Sequence, residues 1–302
     1  RRSPRLRNLA LPWALGRGIR QALQWIRAEA PVAVLLTGGY VGLPLGLAAA
    51  WNGTPLVLLE PNAVPGLANR LLKPWAKRLC RAYPDGQADA KSVVTGTPCR
   101  LASLPSCAEA KRVLGLDPGK RTLLVLPGSQ AARAINQALR EALPLLRDRA
   151  GAWQWVWMCG ASDLDACRQA TLGSPLAIQC LSFIEDVASA YAAADLVLCR
   201  SGASTLAELA VAGKPSLQVP YPHATGGHQQ ANAEAFAAQG AARVVKEDRL
   251  SAQGLAALLR ELLDGEALAP MAQAAAALGR PQAAKAVVEE LQRAAGLAPQ
   301  EA

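Results

Sequence analysis

Short apolar runs without polar alternation recur along this chain, at residues 32–36, 55–59, 92–95, 122–126, 153–159, 176–180, 195–199 and 215–219. A strand with one face in water alternates, whereas a strand covered on both faces reads as a nearly continuous apolar run. Helical patterns separate the runs, for example over residues 130–146, 203–212 and 228–239. Strand, turn and helix repeated in this order predict an α/β fold with parallel sheets. The first set of strands ends near residues 96–100 (GTPCR), and a polar, proline-containing connection follows. A domain boundary is therefore expected near residues 98–105, giving domains of 1–99 and 100–302. The alanine-rich end reads as two helices split at residues 279–281, which could pack back on the first domain.

Composition narrows the setting. The chain has 302 residues, 51% of them hydrophobic, which suffices for two ordinary cores. Its longest apolar runs, such as residues 42–51, are too short to span a bilayer. The basic start is not followed by the apolar core and small-residue cleavage site of a secretory leader. Seven cysteines lie singly, with no CxxC pair, which suits a reducing cytosol and argues against zinc or redox motifs.

The net charge is +9 and unevenly spread. Arg1, Arg2, Arg5, Arg7, Arg17, Arg20 and Arg27 all precede the first acid, Glu29, and Leu9, Leu11, Trp13, Leu15, Ile19, Leu23, Trp25 and Ile26 are interleaved with them. A second cluster, Arg70, Lys73, Lys77, Arg78 and Arg81, surrounds Leu71, Leu72 and Trp75. Arginine beside tryptophan on a helix suits an anionic lipid surface. The alternative is a solvated helix whose other face enters the core. No recognition helix or RNA-binding motif accompanies the charge, so nucleic acid is not expected.

Ligands of parallel α/β sheets sit beyond the carboxyl ends of the strands. The segments found there are TGGY (37–40), EPN (60–62), PGSQ (127–130), RSGAST (200–205) and PYPHATGGHQQAN (220–232). They offer small residues, hydroxyls and amides with few charges, a set that bonds to hydroxyls and phosphates. No GxGxxG and no Walker pattern occurs, which argues against nicotinamide and ATP. No metal and no other cofactor is expected. GSQ and SGAST each open a helix, where free N–H groups attract phosphate, although either turn alone could be mere capping. Arg100, at the domain junction, adds charge for a diphosphate. Glu208 follows Thr205 by three residues and could accept two hydrogen bonds from a vicinal diol such as ribose; a capping-box role with Ser204 or Thr205 is the alternative. Gln229 and Asn232 share one helix face and could read sugar hydroxyls. His223 and His228 lack a third ligand nearby, so a zinc site is not expected.

These segments together resemble the MurG family of N-acetylglucosamine transferases. SGASTLAELAVAGKPSLQVPYPHATGGHQQANA resembles that family's nucleotide-sugar segment. TGGYVGLPLGLAAAWNGTPLVLLEPNAVPGLANRLL resembles its GGY and HExN region. GTPCR is similar to its interdomain GNPxR, PGSQAARAINQAL to its GGSQGAxxxN, and FIEDVASAYAAADLVLCRSGA to its FxxDMxxxYxxADLVxxRxGA. The similarity runs in order from about residue 18 to about residue 295.

The resemblance implies a GT-B fold: two Rossmann-like domains with parallel sheets facing a cleft, the donor UDP-N-acetylglucosamine mainly on the second domain. It implies an undecaprenyl-diphosphate-linked acceptor, lipid I, converted to lipid II by inverting transfer. Ile184 would meet the uracil and Glu208 the ribose. Ser129, Gln130, Ala203, Ser204, Thr205 and Arg100 would surround the diphosphate. Gln229, Asn232 and Asn62 would contact the sugar, and Tyr40 would line the acceptor side. The protein would be cytoplasmic and peripheral on the inner face of the plasma membrane. Where the family begins with a strand and a GGTGGH loop this chain has none, so its first domain is expected to be incomplete. LEPN stands for HExN, and Pro127 and Ala131 replace two glycines of GGSQG. No residue is identified as the catalytic base; Glu60 is nearest by position, and a structural job suits it better. A related lipid-linked glycosyltransferase with another acceptor, and a non-catalytic UDP-sugar-binding module, are the alternatives.

Overall fold

The computed structural model describes residues 11–84, 89–101, 103–128 and 132–298. Contacts divide the chain into two compact units, Arg1–Pro98 with Gln282–Ala302, and Cys99–Pro281. Among the described residues no helix is long and apolar enough to cross a membrane.

The first unit holds a parallel sheet in the order β1 (Val34–Leu36), β2 (Leu56–Glu60), β3 (Arg78–Arg81), β4 (Ser92–Val94). One face is covered by α1 (Leu11–Glu29) and α2 (Leu43–Asn52), the other by α12 (Ala283–Ala294). On α1, Ile19 and Ile26 lie two turns apart and are buried, while Trp13 and Trp25 face out. Two glycines set these contacts. A Cβ at Gly46 of α2 would stand 2.5 Å from Leu72 Cδ1 and 2.8 Å from Leu36 Cδ1. Gly53 ends α2 at φ 74°, and its N–H reaches Ala49 O and Ala50 O. Between β2 and β3 lies the short helix α3 (Leu67–Leu72).

Strand β3 corrects the reading of the second basic cluster as a helix surface. Arg78 and Arg81 lie at the two ends of RLCR in the sheet. Arg81 is buried and donates from Nε to Tyr83 O; Arg78 donates from Nε to Glu290 Oε2 on α12 at 3.0 Å. A charge at each end of a four-residue strand hides the apolar centre, Leu79 and Cys80, from a sequence reading. Arg70, Lys77 and Trp75 remain exposed.

The second unit holds a six-stranded parallel sheet in the order β10-β9-β8-β5-β6-β7. Its strands are β5 (Arg121–Leu126), β6 (Trp153–Met158), β7 (Ala177–Leu181), β8 (Leu196–Cys199), β9 (Ser216–Gln218) and β10 (Ala242–Val244). The intervening helices are α4 (Cys107–Val113), α5 (Ala132–Ala142), α6 (Leu164–Thr171), α7 (Val187–Ala193), α8 (Ala203–Ala212), α9 (His228–Ala238), α10 (Ala252–Asp264) and α11 (Leu268–Leu278). The helix expected over 130–146 is shorter: α5 gives way at Leu143 to a 3₁₀ stretch through Arg149, where Pro144 removes a helical donor. Trp153, Trp155 and Trp157 of β6 are all buried in one core with Leu139, Leu146 and Leu259. Gln154 accepts from Asp117 N and donates to Asp117 O and Thr122 Oγ1, which fastens the loop before β5.

Gly46 makes the packing of α2 testable. Gly46→Val should lower stability by roughly 1–3 kcal/mol through overpacking against Leu72 and Leu36, read as a lower urea midpoint.

Candidate functional site

Strand order in the second unit reverses between β5 and β8. From β5 the chain builds outward through β6 and β7; from β8 it builds the other way through β9 and β10. Loops leaving the two central strands therefore diverge and open a crevice at their carboxyl ends, where such sheets bind ligands. The β5 side is Pro127 and Gly128; Ser129 and Gln130, expected around a diphosphate, lie outside the described residues. Gly128 has φ 80°, and a Cβ on it would stand 3.9 Å from Arg200 Cγ, so the two loops meet at their bases.

The β8 side enters α8 through Arg200, Ser201 and Gly202. Gly202 is the N-cap, with no side-chain bond closing it. Ala203, Ser204 and Thr205 form the first turn, whose backbone N–H groups have no intrahelical acceptor. The positive dipole end adds to their attraction for an anion. Ser204 is exposed and Thr205 half-buried.

Glu208 lies one turn further on and is only 8% exposed. Helical side chains lean toward the N-terminus, which aims its carboxylate at that first turn. Its Oε1 accepts from Arg100 Nε at 3.1 Å and its Oε2 from the Tyr191 hydroxyl at 3.0 Å. Glu208 is therefore not a capping-box partner of Ser204 or Thr205. Burial, and then the Glu208 charge, push the Tyr191 phenol well above its ordinary range, so it stays a donor. Tyr191 sits on α7, which Asp186 caps by accepting from Ser189 N at 3.0 Å. Ile184 lies two residues before this cap and is buried, beside an exposed Phe183.

The loop after β9 is latched to the β8 turn. Ser201 Oγ donates to Gln229 O at 2.8 Å, Asn232 Nδ2 donates to Ser201 O at 3.2 Å, and Tyr221 N donates to Gln229 Oε1 at 3.0 Å. Gln229 and Asn232 do share a face, on which Gln229 is half-buried and Asn232 is turned to the protein. Asn232 is completely buried, so it shapes the loop rather than lying open to a sugar. His223 meets Tyr221 edge to face, and His228 opens α9 beside Gly226. Among the described residues no group of His, Cys, Asp or Glu forms a metal-ligand set.

Two site-building residues escaped the sequence reading. Arg200, buried, donates from Nη1 to Val219 O at 3.0 Å, pairs with Glu247 and stacks over Tyr221, so it joins the loops after β8, β9 and β10. Asn136 on α5 donates to Cys159 O and Asp163 Oδ2 and accepts from Trp157 Nε1 at 2.9 Å, which fixes α5 against β6. Buried asparagine in a helix is a weak signal until its distant partners are known.

In the first unit, Asn62 donates to Glu60 Oε1 from both N and Nδ2, and Gly66 N and Asn69 Nδ2 donate to Oε2. Glu60 is 1% exposed and organises the loop after β2. Tyr40, in the loop after β1, is 73% exposed.

With the geometry in place, comparison with known proteins defines the class. Residues 122–287 match the glycosyltransferase family 28 C-terminal domain and residues 1–80 the glycosyltransferase family 28 N-terminal domain. The crystal structure of Acinetobacter baumannii MurG superposes with a TM-score of 0.79 at 33% identity, over 93% of this chain and 80% of that one. The two parallel-sheet α/β domains are thus a GT-B-like glycosyltransferase fold. A relative from Burkholderia thailandensis is 41% identical over 96% of this chain and 78% of its own length. One from Nitratidesulfovibrio vulgaris is 43% identical over 95% and 79%. Both are named UDP-N-acetylglucosamine–N-acetylmuramyl-(pentapeptide) pyrophosphoryl-undecaprenol N-acetylglucosamine transferase. The chain belongs to glycosyltransferase family 28.

The cap that carries Tyr191 should titrate. The Ser189 hydroxyl and N–H hold the Asp186 carboxyl below its usual range. Its folded pKa is depressed, so its stabilisation is complete above the unfolded value and is lost as pH falls through the folded one. Asp186→Ala should cost about 0.5–2 kcal/mol near neutrality. The difference from wild type in urea midpoint should shrink progressively below about pH 4.

Proposed function

We propose that this chain transfers N-acetylglucosamine from UDP-N-acetylglucosamine to an undecaprenyl-diphosphate-linked N-acetylmuramyl pentapeptide, lipid I, and so forms lipid II. The observation that carries the reading is Glu208, a carboxylate held beside the open N-terminus of α8 at the switch point of the second sheet. A diol acceptor and an anion site one helical turn apart suit the ribose and diphosphate of a nucleotide sugar. The family membership and the names of the relatives supply the sugar and the acceptor.

In this reading Glu208 takes the ribose hydroxyls, and the backbone of Ile184 meets the uracil. The first turn of α8, with Ala203, Ser204 and Thr205, faces the diphosphate together with Arg100, Ser129 and Gln130. Gln229 reaches the sugar, and Asn232 supports it by holding the Ser201 turn. Inverting transfer builds positive charge at the anomeric carbon and negative charge on the departing UDP, as in other glycosyl transfers. Helix N–H groups fixed in advance stabilise that leaving-group charge with little reorganisation. Asn62 and Tyr40 belong to the acceptor-bearing unit. Glu60 serves there as the framework for Asn62 and not as the base.

The same reading gives the first unit a membrane role. Trp13, Trp25, Trp75, Leu67 and Leu71 are exposed, and Arg17, Arg20, Arg70 and Lys77 are exposed on the same elements and their flanks. Aromatic residues amid cations fit a peripheral dock on anionic lipid at the inner face of the plasma membrane.

Calorimetric titration with UDP should show binding, weakened at least about tenfold in Glu208→Ala. A folded chain that binds neither UDP nor UDP-N-acetylglucosamine overturns the donor reading. For the dock, an Arg70→Glu, Lys77→Glu double variant should lose about tenfold or more of its affinity for phosphatidylglycerol-containing vesicles. Co-sedimentation with neutral vesicles should be weak for both proteins.

A further inference from the structure

Both oxygens of Glu208 are occupied in the absence of ligand, and the two partners differ in kind. Tyr191 is completely buried, rooted in α7, and remains protonated. Arg100 lies in the segment before α4, with a side chain 57% exposed against 11% for the Glu208 side chain. Arg100 is therefore the surface-exposed partner of a largely enclosed carboxylate. A diol arriving at Glu208 needs the lone pairs and the space that Arg100 Nε holds. A guanidinium released from that carboxylate lies within a side chain's reach of the α8 N-terminus, where a diphosphate would put its charge.

Resting on the donor reading above, we propose that Arg100 is an exchangeable counter-ion. In the free protein it stands in for the ribose on Glu208 Oε1, and nucleotide binding transfers it from Glu208 to the diphosphate. Tyr191 is the fixed half of the pair and keeps the carboxylate aimed while the other half changes. The exchange conserves charge pairing at each stage: the carboxylate is never left facing an empty crevice, and the guanidinium leaves one anion for another. Arg100 meets Glu208 through its Nε alone, from a side chain that is 57% exposed, so the contact is open to exchange. A guanidinium can instead bond a phosphate through two parallel N–H groups, which gives the transfer its direction. The consequence is a discrimination built into one residue. A nucleoside must displace Arg100 without offering it a new partner; a nucleoside diphosphate compensates the displacement.

The test separates the two ligands. Wild type, Arg100→Ala, Arg100→Gln and Tyr191→Phe are titrated with uridine and with UDP, folding being checked by circular dichroism and thermal midpoint. Removal of Arg100 should tighten uridine about two- to fivefold while weakening UDP about five- to twentyfold. Tyr191→Phe should weaken both by a similar factor. Equal changes for the two ligands in the Arg100 variants, or uridine left unchanged, overturn the exchange. A second readout is the Arg100 Nε–H resonance, assigned by its loss in Arg100→Gln. It should shift on saturation with UDP, and an unmoved resonance overturns the proposal. Wild type that binds UDP while the variants fail this pattern refutes the exchange alone. Wild type that binds no UDP refutes the donor reading with it.

Discussion

The pairing of β5 with β8 is the contact on which the second unit depends. Four register pairs, from Leu123 with Leu196 to Leu126 with Cys199, join strands that lie far apart in sequence. Asp195 reinforces the entrance: its carboxylate accepts from Thr122 N at 2.7 Å, while its own N–H donates to Thr122 O at 2.8 Å. Because β6 and β8 flank β5 on opposite sides, the chain must leave β5 in one direction and leave β8 in the other. The crevice between those departures follows from topology alone. The side chains then furnish it: Arg200 and the Ser201–Asn232 contact hold the loops that border it.

Polar groups buried around that crevice fall into two kinds. Asn136, Arg200 and Asn232 bond to backbone carbonyls and neighbouring side chains and define loop shape. Such groups are costly if left unpaired, so they specify one arrangement of the loops. Glu208 differs, since one of its two partners sits at the surface. A buried carboxylate half held by the protein's interior and half by an exposed arginine is stable in place and still open to replacement. Glu60 in the first unit shows the other extreme, with its carboxylate bonded by Asn62 and Gly66 of its own loop and by Asn69 of α3.

The fold was legible where both faces of a strand are covered, because continuous apolar runs need no partner to be recognised. It was hidden at β3, where Arg78 at one end pairs with Glu290 more than two hundred residues away and Arg81 at the other bonds to Tyr83 O, and at the three-residue edge strand β10. The place of Glu208 could be read from the SGAST turn and helical spacing. Its partners could not, since Tyr191 and Arg100 lie 17 and 108 residues earlier. The amide pair Gln229 and Asn232 was visible on one face, but the direction of that face is set by Ser201, across a strand and a helix. Local pattern thus located Glu208 and the amide pair and missed the residues that orient them.

Helix α12 follows the whole second unit in sequence yet belongs to the first. During synthesis, the face of the first sheet formed by Val57, Leu59 and Cys80 has no Val287 to cover it until the whole second unit has been made. The second unit, by contrast, is continuous in sequence and has every strand of its sheet as soon as β10 has emerged. The later-made unit can therefore close before the earlier one, and helix α12 stitches shut the part begun first.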